Sequence, residues 1–288
     1  MAEISPMISQ LDRRYKTLQA QRSQWESHWQ ELADYMLPRK ADITKKRTEG
    51  DKRTELLYDG TAVHAVELLA SSLHGMLTSP STPWFAMRFR NQALQQSDEA
   101  NEWLEICIDQ MYQAFHRSNF QQEIHELYYD LVVFGTAAFY VEGADDGLRF
   151  SSRHIAEICI SESPDGRVDT VYRKFKLTAR AIAMQFGEEN CPKEIKKDIE
   201  NDPYKEHSIV HAVLPRTDTK GQSKKNKPIA SIYYTADTRH MLSESGFDEF
   251  PFMVTRFVKD SVSTYGRSPA MNALPDTKML NKMSETTI

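Results

Sequence analysis

His207 and His211 stand four residues apart in a short β-rich run. In a strand that spacing puts both imidazoles on one face but well separated, and no third ligand type is placed near them, so the pair makes a poor metal site. Acidic pairs occur at Asp145-Asp146, Glu188-Glu189 and Asp248-Glu249. Two-metal phosphodiester chemistry needs carboxylates converging on ions about 4 Å apart. The first pair precedes Gly147 in a turn, where aspartate serves the backbone. The other two stand beside the ends of short elements, and nothing in their spacing calls for convergence. Cys107, Cys159 and Cys191 are far apart and odd in number, which predicts small buried hydrophobes rather than a zinc site or a disulfide framework. No phosphate-binding glycine loop, dinucleotide fingerprint, zinc-protease helix or nucleophile elbow is present. The expectation is a protein without catalytic residues, metal or cofactor. The strongest phosphate-contact candidates are Lys220, Lys224, Lys225 and Lys227, which fall in one loop; the competing reading of that loop is a solvated hairpin tip.

The elements that would carry these residues divide by character. From Met7 to Leu37, Ile8, Leu11, Tyr15, Leu18, Trp25, Trp29, Leu32 and Met36 repeat at spacings of three, four and seven, one stripe of a long helix that Pro38 ends. Trp25 and Trp29 on that stripe suit a core or subunit contact better than a base-stacking platform. Arg39 to Arg53 is basic and polar, and predicts a mobile loop with little to bury. A second helix is expected over 61–77, with Ala62, Val66, Leu69, Leu73 and Leu77 inward. Trp84 to Phe89 alternates like a strand. Ser97 caps a third helix over 98–117, and a fourth over 120–134 ends at Gly135. Short β-rich runs follow at 137–142, 148–153, 157–161 and 168–176, separated by Asp-Gly turns, and read as an antiparallel meander. Short helices are expected from Thr178 to Phe186 and over 192–200, then strands at 208–214, 229–234 and 252–257. Ser268-Pro269 opens a final amphipathic helix in which Pro275 should produce a kink or a division. The fold class is therefore α+β: a helical region over 1–135, a β-rich region over 136–264 with two short helices, and a turn plus helix over 265–288. The sequence stops inside that helix without a stop signal, which predicts that further chain belongs with it.

Hydrophobic residues make up 40% and charged residues 27%, soluble proportions with a thin apolar share, and the formal net charge is −5. Proteins that grip DNA through phosphates are usually basic, so tight non-specific DNA binding is disfavoured. A mildly acidic surface past which DNA slides is permitted. No apolar run approaches the roughly 20 residues that span a bilayer, and the first residues do not resemble a secretory signal. Synthesis and retention in a cytoplasm are expected.

Tyr265 to Met283 reads YGRSPAMNALPDTKMLNKM. It closely resembles the signature stretch of the podovirus head-to-tail connector, or portal, family, on Tyr265, Gly266, Arg267, Ser268, Pro269, Ala273, Leu274, Pro275, Leu280 and Asn281. The stretches 25–38, 59–83 and 119–137 resemble other family blocks in the same order, so the resemblance covers nearly the whole chain. It implies a portal-like arrangement: a helical wing, a β-rich part and a stem-type helix cut short. It also implies a ring of identical subunits, usually about a dozen, at one capsid vertex of the virion. There double-stranded DNA would pass through, weakly bound, during packaging and ejection, and the packaging motor (terminase), capsid and scaffolding, and tail proteins would dock. The alternatives are another phage structural component of tail or scaffold type, or a metal-dependent phage nuclease built from the scattered acids.

Overall fold

The computed structural model describes residues 5–45, 47–48, 50–144, 147–216 and 226–287. Along the chain run α1 (Pro6–Met36), α2 (Thr61–Leu77), α3 (Gln92–Gln95), α4 (Asp98–Arg117), α5 (Phe120–Phe134), β1 (Thr136–Ala144), β2 (Gly147–Arg153), β3 (Ile158–Glu162), β4 (Val168–Thr178), α6 (Ala179–Phe186), α7 (Lys193–Asn201), β5 (Glu206–Pro215), β6 (Ile229–Thr235), β7 (Met241–Phe247), β8 (Phe252–Arg256) and α8 (Pro269–Thr287). The α+β class stands, and among the described residues no helix is long and apolar enough to cross a membrane.

Contacts divide the chain into two compact units that the linear partition at 135 and 264 does not follow. Met1–His28 joins His154–Pro251, and Trp29–Arg153 joins Phe252–Ile288. The β-rich run is not one meander. β1 pairs with β2 on one edge and with β8, over a hundred residues away, on the other, while β3 to β7 form a separate antiparallel sheet in sequence order. Hairpins are legible locally; the partner of a free strand edge is not.

In the first unit the five-stranded sheet is covered on both faces. Val210 and Ala212 of β5 pack with Tyr172 and Tyr234 against Ile8, Leu11, Tyr15 and Leu18 of α1. Ile209, one residue out of phase, packs with Ala179, Ile182 and Ile195 of α6 and α7. The period of two thus feeds two cores from one strand. The Thr178 hydroxyl accepts from the Ala181 amide and caps α6, as its position predicts. Arg22 is buried on α1, donating to the carbonyls of Ala156 at 2.7 Å and Ile158 at 3.0 Å and to Glu26 at 2.6 Å. That guanidinium satisfies the turn leading into β3.

The second unit is built on α5. Its residues Phe120, Leu127 and Tyr128 meet Ala70 of α2, Ala137 and Phe139 of β1 and Phe150 of β2. Trp84 stacks on Phe120 with centroids 5.8 Å apart. Residues 84–89 form no strand, because the Tyr112 hydroxyl accepts from the amides of Trp84 and Phe85 and donates to the Phe85 carbonyl. A side chain of α4 thus takes the place of a neighbouring strand. β7 and the short α3 had no clear sequence signal; β7 carries Ser243, Ser245 and Gly246, poor strand formers, and pairs with β6 with a register shift between Tyr233 and Tyr234.

Where α2 meets α5, the rings of His74 and His125 stack at 5.1 Å, with His74 Nε2 2.7 Å from Gln121 Oε1. Desolvation holds the His125 imidazole below its ordinary pKa; His74 and Arg39 push the same way and Glu126 opposes them. The unfolded chain therefore takes up a proton at His125 that the folded chain refuses. Stability is full above the unfolded value of about 6.5 and falls as pH drops below it. Denaturant unfolding at pH 7.5 and 5.5 should show a smaller loss on acidification for His125→Gln than for the parent chain. Equal losses would refute the assignment.

Candidate functional site

The signature residues meet where α5 turns into β1. Helix α5 ends because Gly135 adopts φ 73° and its amide closes on the Leu131 carbonyl. Gly266 crosses this point. A Cβ on Gly266 would lie 2.4 Å from the Gly135 carbonyl oxygen, and a Cβ on Gly135 would lie 2.6 Å from the Gly266 oxygen and the Arg267 carbonyl carbon. Both obstacles are backbone, so neither gives way. The Gly266 amide donates to the buried Thr136 hydroxyl at 2.8 Å. Beside it, the Ser268 hydroxyl donates to the Val133 carbonyl at 2.8 Å and accepts from the Met271 amide, capping α8. Pro269 follows in the first turn, where the missing amide costs nothing. Tyr265 is buried edge-on against Trp29, at 5.1 Å. Arg267 and Val258 exchange both backbone hydrogen bonds, and Arg267 Nε sits 2.8 Å from Asp260. The sequence joins these residues in one run; the structure adds Gly135, Thr136 and Val133 from the far side of the crossing.

Helix α8 buries one narrow face: Ala270, Leu274 and Asn281, at spacings of four and seven. Asn281 is a clamp. Its side-chain oxygen accepts from the amides of Tyr58 and Asp59, and its nitrogen donates to the Leu56 carbonyl at 2.8 Å. This fixes the chain entering α2. The helix runs through Pro275 undivided. Pro275 is exposed, so the carbonyl it leaves without a donor stands on the open side. Leu280 also faces outward, into an apolar groove of about 310 Å³ between α2 and α8, floored by Met36 and Val132. Leu77, expected inward on α2, is more than half exposed, and Met76 is 81% exposed, because Val66 and Ala70 alone are buried on that helix.

Sequence reasoning missed the polar anchoring of the basic stretch after α1. Among the described residues of 39–53 the only helical turn is one 3-10 turn, yet they are tied down. Gln30 accepts through its oxygen from the amides of Ile43 and Thr44 and donates to the Ala41 carbonyl. Lys45 and Arg47 pair with Asp34, Arg53 pairs with Asp42, and Lys40 reaches the buried Asp130 at 2.6 Å. The signal was available in the polar residues breaking the apolar stripes of α1 and α5 (Gln30, Asp34 and Asp130), which loop cations require as partners.

Of the lysine loop, Lys220, Lys224 and Lys225 lie outside the described residues; Lys227 is paired with Asp248 at 2.6 Å. His207 and His211 do not converge on a common partner. His207 lies 3.1 Å from Asp198, while His211 stacks on Tyr233 and shares a hydrogen bond with Ser231. Burial pushes the Cys159 thiol up to about 11, which suits a packing role for that cysteine.

Two substitutions separate the crossing from the clamp. Gly266→Ala should destabilise the protein by about 3 kcal/mol, since two backbones must separate. Asn281→Ala should cost about 2 kcal/mol by orphaning two amides and a carbonyl. Its hydrogen-exchange change should be confined to residues near 56–59 and α8. Chemical denaturation gives the energies; a neutral Gly266→Ala would refute the close approach.

The family model described as Bacteriophage head to tail connecting protein matches residues 9–288. A probable portal protein of Bordetella phage BPP-1 is 31% identical over 274 residues, covering 93% of this chain and 49% of that protein. The portal protein of Salmonella phage epsilon15 is 32% identical over 271 residues, covering 91% of this chain and 49% of its own length. The chain spans about half the length of the curated relatives it matches. With a match running through the α5–β1 crossing, the Asn281 clamp and both compact units, the chain belongs to the bacteriophage head to tail connecting protein family.

Proposed function

We propose that the chain is part of a portal subunit, a structural component of the phage virion that joins identical copies into a ring through which double-stranded DNA passes. The observation that carries this reading is family membership over residues 9–288. Within the reading, the signature residues Tyr265 to Pro269 are a structural joint. They hold α8 to the α5–β1 junction, and Asn281 ties α8 to the start of α2. Such a joint suits a machine that passes load through its fold and carries out no chemistry of its own.

The formal charge of −5 favours transient DNA contact over a tight grip. The copies would form a ring of about a dozen, the packaging motor and tail proteins would dock on it, and Lys220, Lys224, Lys225 and Lys227 would supply DNA or partner contacts. The reading assigns no metal, cofactor or catalytic residue to the chain.

Native mass and negative-stain imaging should show closed rings, in the chain alone or in the full product of its gene. Monomers in both would overturn the reading. Binding to linear duplex DNA should be weak and fall steeply with salt, without divalent-dependent cleavage or ATP hydrolysis. Metal-dependent cleavage lost on changing a few carboxylates would favour the nuclease alternative.

A further inference from the structure

Strand β2 is an edge strand. Among the described residues it pairs with β1 on one side and with no strand on the other. In an antiparallel pair, alternate residues turn their amide and carbonyl away from the partner. On β2 those residues are Leu148, Phe150 and Ser152. Such a row is a template for another strand unless something fills it. Two side chains at the start of α5 fill it. Asn119 Oδ1 accepts from the Phe150 amide at 2.9 Å, and Asn119 Nδ2 donates to the Phe150 carbonyl at 2.8 Å. Glu123 Oε2 accepts from the Ser152 amide at 2.6 Å. Asn119 thereby presents one acceptor and one donor to a single residue, the same pair that a residue of a neighbouring strand would present.

These bonds serve the edge and not the helix. Asn119 stands at the N-cap of α5 yet gives that helix no side-chain bond; Ser118 Oγ accepts from the Phe120 amide in its place. The two periods also match. Asn119 and Glu123 lie four residues apart, about 6 Å along a helix, and Phe150 and Ser152 lie two apart, about 6.8 Å along a strand. Among the described residues no side chain bonds to Leu148, which is 41% exposed. One open position is too short to pair a strand. The sequence of β2 decides what the edge would accept. An antiparallel copy centred on Phe150 sets Leu148 against Ser152, Arg149 against Ser151 and Arg153 against Gly147, so no two arginines stand opposite each other.

We infer that Asn119 and Glu123 hold shut a strand-pairing edge, and that the partner this edge fits once released is β2 of a second copy. Amide hydrogen exchange resolved by residue should show Phe150 and Ser152 protected in the parent chain and Leu148 unprotected. Asn119→Ala should speed exchange at Phe150 by about tenfold with little change at Ser152, and Glu123→Ala should do the reverse. Asn119→Ala/Glu123→Ala, checked for folding by circular dichroism, should self-associate about tenfold more tightly than the parent in sedimentation, whatever assembly the parent forms. Adding Ser152→Pro removes the outward amide, a change that an edge strand tolerates, and should abolish the gain. Extra association that persists in the triple variant would come from a loosened core and would overturn the inference. A folded double variant that associates no more than the parent would overturn it too. If the double variant does not fold, the single variants decide: unchanged exchange at Phe150 and Ser152 sinks the assignment.

Discussion

The second unit depends on one steric constraint: two backbones cross at Gly135 and Gly266 at a distance that excludes a side chain on either. Helix α5, strand β1, the bridge between Val258 and Arg267, and the start of α8 all leave from that crossing. Its hydrogen bonds come from Thr136 and Ser268, which are buried and bond across it rather than to water. A contact made of backbone cannot be retuned by repacking. Its geometry is therefore stiffer than that of an apolar contact of equal area, whose side chains can move to new rotamers.

Away from the crossing, buried polar side chains hold segments that have little apolar surface to offer. Asn281 secures the entry to α2, Gln30 and Asp34 secure the basic stretch after α1, and Arg22 secures the turn into β3. Asn281, Gln30 and Arg22 each satisfy several backbone groups at once, and losing any of them would leave those groups unpaired where water is scarce and the cost is greatest. This is how a chain with a thin apolar share orders long connections without a larger core.

Helix and hairpin boundaries were legible because they depend on neighbours in sequence. The Ser97 and Thr178 caps, the Gly135 stop and the Pro38 break all lie where the chain places them. The compact units were not legible. They require β1 to select β8 and the first part of α1 to select the β3–β7 sheet, and nothing within a short window encodes either choice. At the signature, the sequence marked which residues matter but not what they touch. Asn281 reads as one more polar residue on an amphipathic helix until Tyr58 and Asp59 are brought beside it. The inward assignment of Leu77 failed for a related reason. Periodicity reports how apolar a helix face is, and says nothing about whether the same chain covers it.

That failure separates two uses of hydrophobic surface. On α2, Leu68, Met76 and Leu77 are more than half exposed, and on α8 so are Met279 and Met283. A unit whose folding relied on these faces would bury them; this one is held by the aromatic core around α5, the glycine crossing and the polar anchors instead. Apolar surface left over in this way is free to be buried on association, and whatever covers it adds its binding energy to the stability of the fold. Under the proposed ring, such a division would let each subunit fold before it assembles and become more stable once it has. Rigidity inside the unit and stickiness outside it are supplied by different residues, so either can be altered by mutation with limited effect on the other.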